Sequence, residues 1–138
     1  MIKIQKEDFV IENEICEIKK HYKEIGAVST FIGYVKNTNN DKCVTSINLE
    51  VYKDMAKKKL DQICRNAINK WSLIDTLIIH RYGELIVNEK IVLVATFSKH
   101  RKETSESCDY IMNYLKKDAP FWKKEFYNAS SEWLKNIN

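Results

Sequence analysis

Residues 90–98 read KIVLVATFS. After the opening lysine no charge interrupts the run, and Ile91, Val92, Val94 and Thr96 are β-branched. A short continuous apolar stretch of this composition is a strand buried on both faces. That condition constrains the whole chain, because a sheet containing such a strand needs a covering layer on each side.

The helical segments supply those layers. Residues 54–71, DMAKKKLDQICRNAINKW, place Met55, Ala56, Leu60, Ile63, Cys64, Ala67, Ile68 and Trp71 on one stripe, with the lysine run 57–59 on the solvated side. The spacing of Ile15, Ile18 and Tyr22 predicts a helix over 12–24. A third helix starts within 98–103 and runs to about Lys116 through Cys108, Ile111, Met112 and Leu115. Asp118 and Pro120 then break it and are placed to open a second short helix, since proline is tolerated in a first turn. Strands are expected at 2–5 as a short edge, from Gly26 through GAVSTFIGYV, and at 73–83. Residues 46–52 alternate, with Ile47, Leu49 and Val51 on one face and Asn48, Glu50 and Tyr52 on the other. VKNTNND, 35–41, is a polar loop. The class is α+β, with helices over a largely antiparallel sheet and one domain spanning 1–138.

Composition narrows the function classes. The 138 residues are 44% hydrophobic and 30% charged, a globular balance that needs no disulfide or metal staple. A net charge of +4 permits an anionic ligand without demanding nucleic acid. The lysines are spread over many surfaces, and no aromatic RNA-binding strand or recognition-helix pattern occurs. Cys16, Cys43, Cys64 and Cys108 form no CxxC pair and stand at no metal-ligand spacing, so free thiols in a reducing compartment are expected. The N-terminus carries Glu7, Asp8, Glu12 and Glu14 rather than a signal peptide, and no apolar run approaches the ~18 residues of a membrane span. A cytoplasmic protein without membrane contact is expected. No GxGxxG, P-loop, GxSxG or HExxH pattern is present, which argues against nucleotide cofactors, serine hydrolysis and zinc peptidase chemistry.

Two stretches carry possible chemistry. In SKHRKE, 98–103, a strand gives way to a helix N-terminus, and His100 and Arg101 add charge to its free N–H groups. That is either a seat for phosphate or carboxylate, or an ordinary exposed turn. In KKDAPFWKKE, 116–125, Lys116 and Lys123 are seven apart, on one face of a straight helix, and the break at 118–120 brings their amines closer. Either they converge beside Phe121 and Trp122 as an anion clamp or base, or Lys116 and Lys117 only complement a helix C-terminus. His80 ends an apolar strand and reads as structural, His21 reads as surface, and Lys36 with Asn37 at a strand exit has no meaning alone.

Taken in order, GAVSTFIGYVKN, LEVY, IIHRYGEL, FSKHRKE and IMNYLKKDAPFWKKE resemble the large, catalytic subunit of molybdopterin synthase, over about residues 26–125. The resemblance implies an α/β-hammerhead fold with an extra sheet subdomain. It implies a sulfurtransferase that converts cyclic pyranopterin monophosphate to the dithiolene of molybdopterin. The sulfur comes from the C-terminal thiocarboxylate of a small ubiquitin-like carrier subunit. Two large subunits form a homodimer at the centre of a heterotetramer, and neither metal nor cofactor is required. Carried over residue by residue, Lys116 and Lys123 are the catalytic lysines, and Lys36, Asn37, His100, Arg101, Lys124 and Glu125 bind substrate.

This chain departs from the family pattern at several points. Lys36 stands where the family usually has arginine, which keeps the charge and loses the bidentate fork. Lys99 replaces a small residue, Lys117 and Asp118 replace threonine and arginine, and the chain ends soon after Trp133. The competing readings are a non-catalytic scaffold for a ubiquitin-like protein and a basic nucleic-acid-binding module. Against the scaffold, both lysines of the pair are present.

Overall fold

The computed structural model describes residues 1–127 and 131–135. The elements are β1 (Ile2–Gln5), α1 (Ile11–Lys19), β2 (Ala27–Tyr34), β3 (Thr38–Asn39), β4 (Lys42–Val51), α2 (Lys53–Trp71), β5 (Asp75–Arg81), β6 (Gly83–Ile86), β7 (Lys90–Ser98), α3 (Arg101–Lys117), β8 (Phe121–Tyr127) and β9 (Ser131–Lys135).

The apolar run at 90–98 becomes β7, an inner strand of a four-stranded sheet ordered β1-β5-β7-β2. Its side chains part as the two-residue period requires. Val92 and Val94 pack with Ala56, Leu60, Ile63 and Ala67 of α2 and with Ile111 and Leu115 of α3. Leu93, Ala95 and Phe97 pack on the opposite side with Phe9 and the α1 residues Ile11, Ile15 and Ile18. β5 divides the same way, with Ile78 toward α2 and α3 and Leu77 and Ile79 toward α1. Helices therefore cover both faces, as the sequence of β7 demands. β1 lies at the edge, parallel to β5, and the other pairings of this sheet are antiparallel.

A second sheet is built on β4. It pairs with β3, β6 and β8, and β9 extends it beyond β8. Ile47 and Leu49 form a third core with Val35, Val44 and Leu85. This is the α+β arrangement that the sequence predicts, with the added sheet that the resemblance implies.

Four expectations are corrected. The helix predicted over 12–24 ends at Lys19, and Tyr22 packs on its core from the turn beyond. The strand predicted at 46–52 starts at Lys42, because the hairpin with β3 extends it. The run 73–83 divides into β5 and β6, with Gly83 at φ 87°, a conformation that glycine enters without Cβ strain, where the chain leaves one sheet for the other. No second helix follows Pro120. FWKKEFY forms β8 instead, pairing Leu49 with Lys123 and Ile47 with Glu125. Its burial alternates with a period of two, but bulk and charge along the sequence do not, so nothing in the residue types marks a strand rather than a helix. The short C-terminus noted after Trp133 falls on side chains and terminal residues outside those described. Among the described residues, no helix is long and apolar enough to cross a membrane.

Gly26 donates its N–H to Ser98 O at 2.9 Å, and a Cβ there would collide with the Lys99 carbonyl oxygen. The obstacle is backbone, so Gly26→Ala is expected to cost about 1–3 kcal/mol. Chemical denaturation of the variant against the parent chain measures this, and an unchanged midpoint refutes it.

Candidate active site

β8 carries alternate residues to opposite sides. Phe121, Lys123 and Glu125 are buried, and Trp122, Lys124 and Phe126 take the other face. The inward set closes a cavity of about 290 Å³. Its walls come from the C-terminal half of β2 (Gly33), from β4 (Ile47, Leu49), from β7 (Val92) and from the last turns of α3 (Met112, Leu115). Its polar groups are Tyr34, Lys36, His80, Lys123 and Glu125.

Lys123 is 8% exposed and Glu125 is 2% exposed. Lys123 Nζ lies 3.8 Å from Glu125 Oε2. Glu125 Oε1 accepts hydrogen bonds from Asn39 Nδ2 at 2.7 Å and from Tyr127 OH at 2.6 Å. Burial pushes the Lys123 amine below the ordinary lysine value, the Glu125 charge opposes that, and the nearby Lys36 ammonium adds to it. His80 is buried and stacks on Phe121, ring centres 3.7 Å apart and planes 15° apart. Its Nδ1 is 2.9 Å from the Arg81 carbonyl oxygen. A carbonyl only accepts, so Nδ1 carries the proton and the neutral ring keeps its lone pair on Nε2. Burial lowers the His80 pKa to about 4, with the Arg81 carbonyl opposing the shift.

The structure brings Lys36, Lys123 and Glu125 together. Lys116 is exposed in the last turn of α3, next to the wall residue Leu115, and its side chain is not part of the cavity wall. His100 is the N-cap of α3 and Arg101 its first residue, both exposed. Fifteen residues of helix from Arg101 to Lys116 span roughly 22 Å, so within one chain this corner is remote from the cavity. Asn37 uses its carbonyl to accept from Val44 N–H at 2.8 Å, at the base of the β3–β4 hairpin. Lys124 lies over the Phe126 ring at 5.5 Å, on the side of β8 away from the cavity.

Sequence reasoning missed four groups: His80, Met112, Asn39 and Tyr127. A strand period over 121–127 points to Tyr127, two places beyond Glu125. For Asn39 the only signal is a turn. Among the described residues, no group of three or more His, Cys, Asp or Glu side chains is placed to hold a metal ion. The arrangement suits anions: two ammoniums, Lys36 and Lys123, share a cavity of mostly apolar walls with one carboxylate, and the largely buried one is placed to stabilise developing negative charge.

Comparisons with known proteins agree with one another. A family model described as MoaE protein matches residues 4–118. The molybdopterin synthase catalytic subunit of Ralstonia nicotianae is 43% identical over 133 residues, 96% of this chain and 76% of that protein. The molybdopterin biosynthesis MoaE protein from Burkholderia ambifaria MC40-6 superposes with a TM-score of 0.87 at 36% identity, covering 100% of this chain and 90% of that one. A complex of subunits 1 and 2 of the molybdopterin-converting factor from Helicobacter pylori 26695 shares the fold, with a TM-score of 0.81 at 18% identity over 97% of this chain and 90% of that one.

His80 makes stability depend on acid. Its pKa falls from 6.5 unfolded to about 4 folded. The unfolded chain therefore takes up the proton first, and stability is lost as pH drops from about 6.5 toward 4. His80→Asn retains a donor for the Arg81 carbonyl and does not titrate. Between pH 7 and pH 5 the parent chain is expected to lose about 2 kcal/mol more than the variant in urea denaturation. Equal losses refute this.

Proposed function

The chain belongs to the MoaE protein family and is a molybdopterin synthase catalytic subunit, and from that premise we propose how its pocket serves the conversion of cyclic pyranopterin monophosphate to molybdopterin. Sulfur arrives as the C-terminal thiocarboxylate of a small ubiquitin-like carrier, whose extended tail enters the cavity. The observation that carries the reading is the Lys123 ammonium, buried in a cavity of about 290 Å³ with mostly apolar walls. A slender peptide end and an anionic ring system both fit a site with that balance of charge and apolar wall.

Lys123 stabilises charge as the cyclic phosphate opens. Lys116, at the α3 end of the cavity, serves the donor carbonyl as acid, base or charge stabiliser. It is exposed in the chain alone, and the arriving carrier tail is what covers it. Lys36 and Asn37 hold substrate at the strand exit. Glu125 acts from behind Lys123, and Lys124 from the far side of β8 contributes to the surrounding field.

His100 and Arg101 stand at the wrong end of α3 to serve their own chain's cavity. In the homodimer expected of the family, a second copy supplies them, so each site takes its lysines from one subunit and its imidazole–guanidinium corner from the other. The carrier docks at each outer end of that pair. Four free cysteines suit a reducing compartment, and we assign the reaction to the cytoplasm.

Single-turnover assays with thiocarboxylated carrier and pyranopterin phosphate test this, with product read as its fluorescent oxidised form. Lys116→Ala and Lys123→Ala are each expected to slow transfer by about 10²-fold or more. Wild-type rates for either chain remove that lysine from the mechanism. Co-expression of Arg101→Ala with Lys123→Ala is expected to restore activity that neither chain has alone, through mixed dimers with one intact site. A co-expressed pair as inactive as its parents refutes the shared site.

A further inference from the structure

Behind the cavity wall lie two hydrogen-bond donors, on Asn39 and Tyr127, that the reaction as described does not use. Glu125 Oε1 takes two short hydrogen bonds, from Asn39 Nδ2 at 2.7 Å and Tyr127 OH at 2.6 Å, while Oε2 is the oxygen toward Lys123 at 3.8 Å. Neither Asn39 nor Tyr127 lines the cavity. Two donors on one oxygen fix the plane of a carboxylate that would otherwise rotate, and donors to an ionised acceptor are the strong ones. Asn39 is itself held firmly. It pairs with Lys42 across a two-residue turn, Asn40 at φ 52° and Asp41 at φ 65°, the left-handed pair that a tight hairpin requires.

We propose that Asn39 and Tyr127 are positioning residues for the sulfur-transfer site: they orient Glu125 so that its second oxygen holds the Lys123 ammonium at the cavity wall. The β3–β4 hairpin thereby sets the charge state and place of a lysine on another strand. This inference rests on the reading of Lys123 given above. The groups facing Lys123 are few among the described residues. β8 contributes Glu125, β2 contributes the phenol of Tyr34, the stretch after β2 contributes Lys36, and β5 contributes His80, which is neutral at physiological pH. β4 and α3 present Ile47, Leu49, Met112 and Leu115, none of them charged. Glu125 is thus the counter-charge that opposes desolvation of the amine. If its carboxylate turns away or is protonated, Lys123 loses its proton at lower pH.

The test follows the Lys123 Cε resonance through a pH titration of ¹³C-lysine-labelled full-length chain, assigned with Lys123→Arg. Asn39→Ala and Tyr127→Phe are each expected to lower the midpoint by about half a unit or more, and Glu125→Gln by more than either. Thr45→Ala serves as the control. It removes a hairpin contact to the Phe126 carbonyl at 3.1 Å without touching Glu125, and it is expected to leave the midpoint in place. An unchanged or raised midpoint in Asn39→Ala and Tyr127→Phe overturns the proposal, as does an equal shift in Thr45→Ala. In turnover assays the basic limb of the pH–rate profile moves to lower pH by the same amount, since the protonated amine is the active form. The titration needs no substrate. Shifted midpoints with no dithiolene product from any chain would sink the assigned reaction and leave the network standing, whereas normal turnover with unshifted midpoints sinks the network alone.

Discussion

An ammonium and a carboxylate stand side by side on the inward face of β8, and the pocket depends on their being tolerated there. Removing either ion from water costs several kcal/mol, which mutual attraction alone does not offset. The fold answers with donors. Asn39 reaches Glu125 from a hairpin 86 residues away in sequence, and Tyr127 reaches it from the same strand. The second sheet is therefore more than an appendage. β4 must be long enough to pair with β3 at one end and with β8 along the rest, so that the hairpin and the buried charges meet.

α3 acts as a ruler between two chemical environments. Its C-terminal turns give Met112 and Leu115 to the cavity, while its N-terminus presents His100 and Arg101 to solvent. A straight helix cannot fold its two ends together, so no side-chain rearrangement brings that corner to its own Lys123. Pro120 adds a further restriction. The chain turns tightly there, with Phe121 N–H donating to Ala119 O at 2.8 Å, and enters β8 immediately. Phe121 is thereby set against His80, and the stacked pair forms part of the cavity wall.

The layered sheet was legible because β7 and the α2 stripe carry unambiguous periods. Residues 92–97 have apolar side chains on both sides of the strand, and Ala56, Leu60, Ile63, Cys64 and Ala67 recur at helical spacing; all of the latter are buried. β8 was harder to read. Lys123 and Glu125 occupy positions that a core strand normally fills with Val or Ile, so charge masked the alternation. Buried charge broke the local rule there. Of the candidate residues, Lys36, Lys123 and Glu125 meet within one chain. The helix read over 98–116 already separates His100 and Arg101 from Lys116, but which end of it meets the cavity was not legible, since local patterns carry no information about which end of a helix faces a cavity. Asn39 lay in a stretch readable only as a turn, because its partner is a side chain far along the sequence.

Charge balance decides what else the reaction needs. Within one chain the cavity holds two ammoniums, Lys36 and Lys123, against one carboxylate, Glu125, with His80 neutral; two minus one leaves a single positive charge. The proposed substrates bring a cyclic phosphate and a thiocarboxylate, one negative charge each. Opening the ring leaves a phosphate monoester, whose charge at neutral pH is about −1.5 to −2. The demand for positive charge thus exceeds what the cavity supplies and grows as the reaction proceeds. On the proposed assignment, Lys116 beside the cavity and Arg101 supplied by a second copy would meet that added charge, and so interact more strongly with the transition state than with the substrates. Differential stabilisation of that kind raises the rate rather than merely tightening binding.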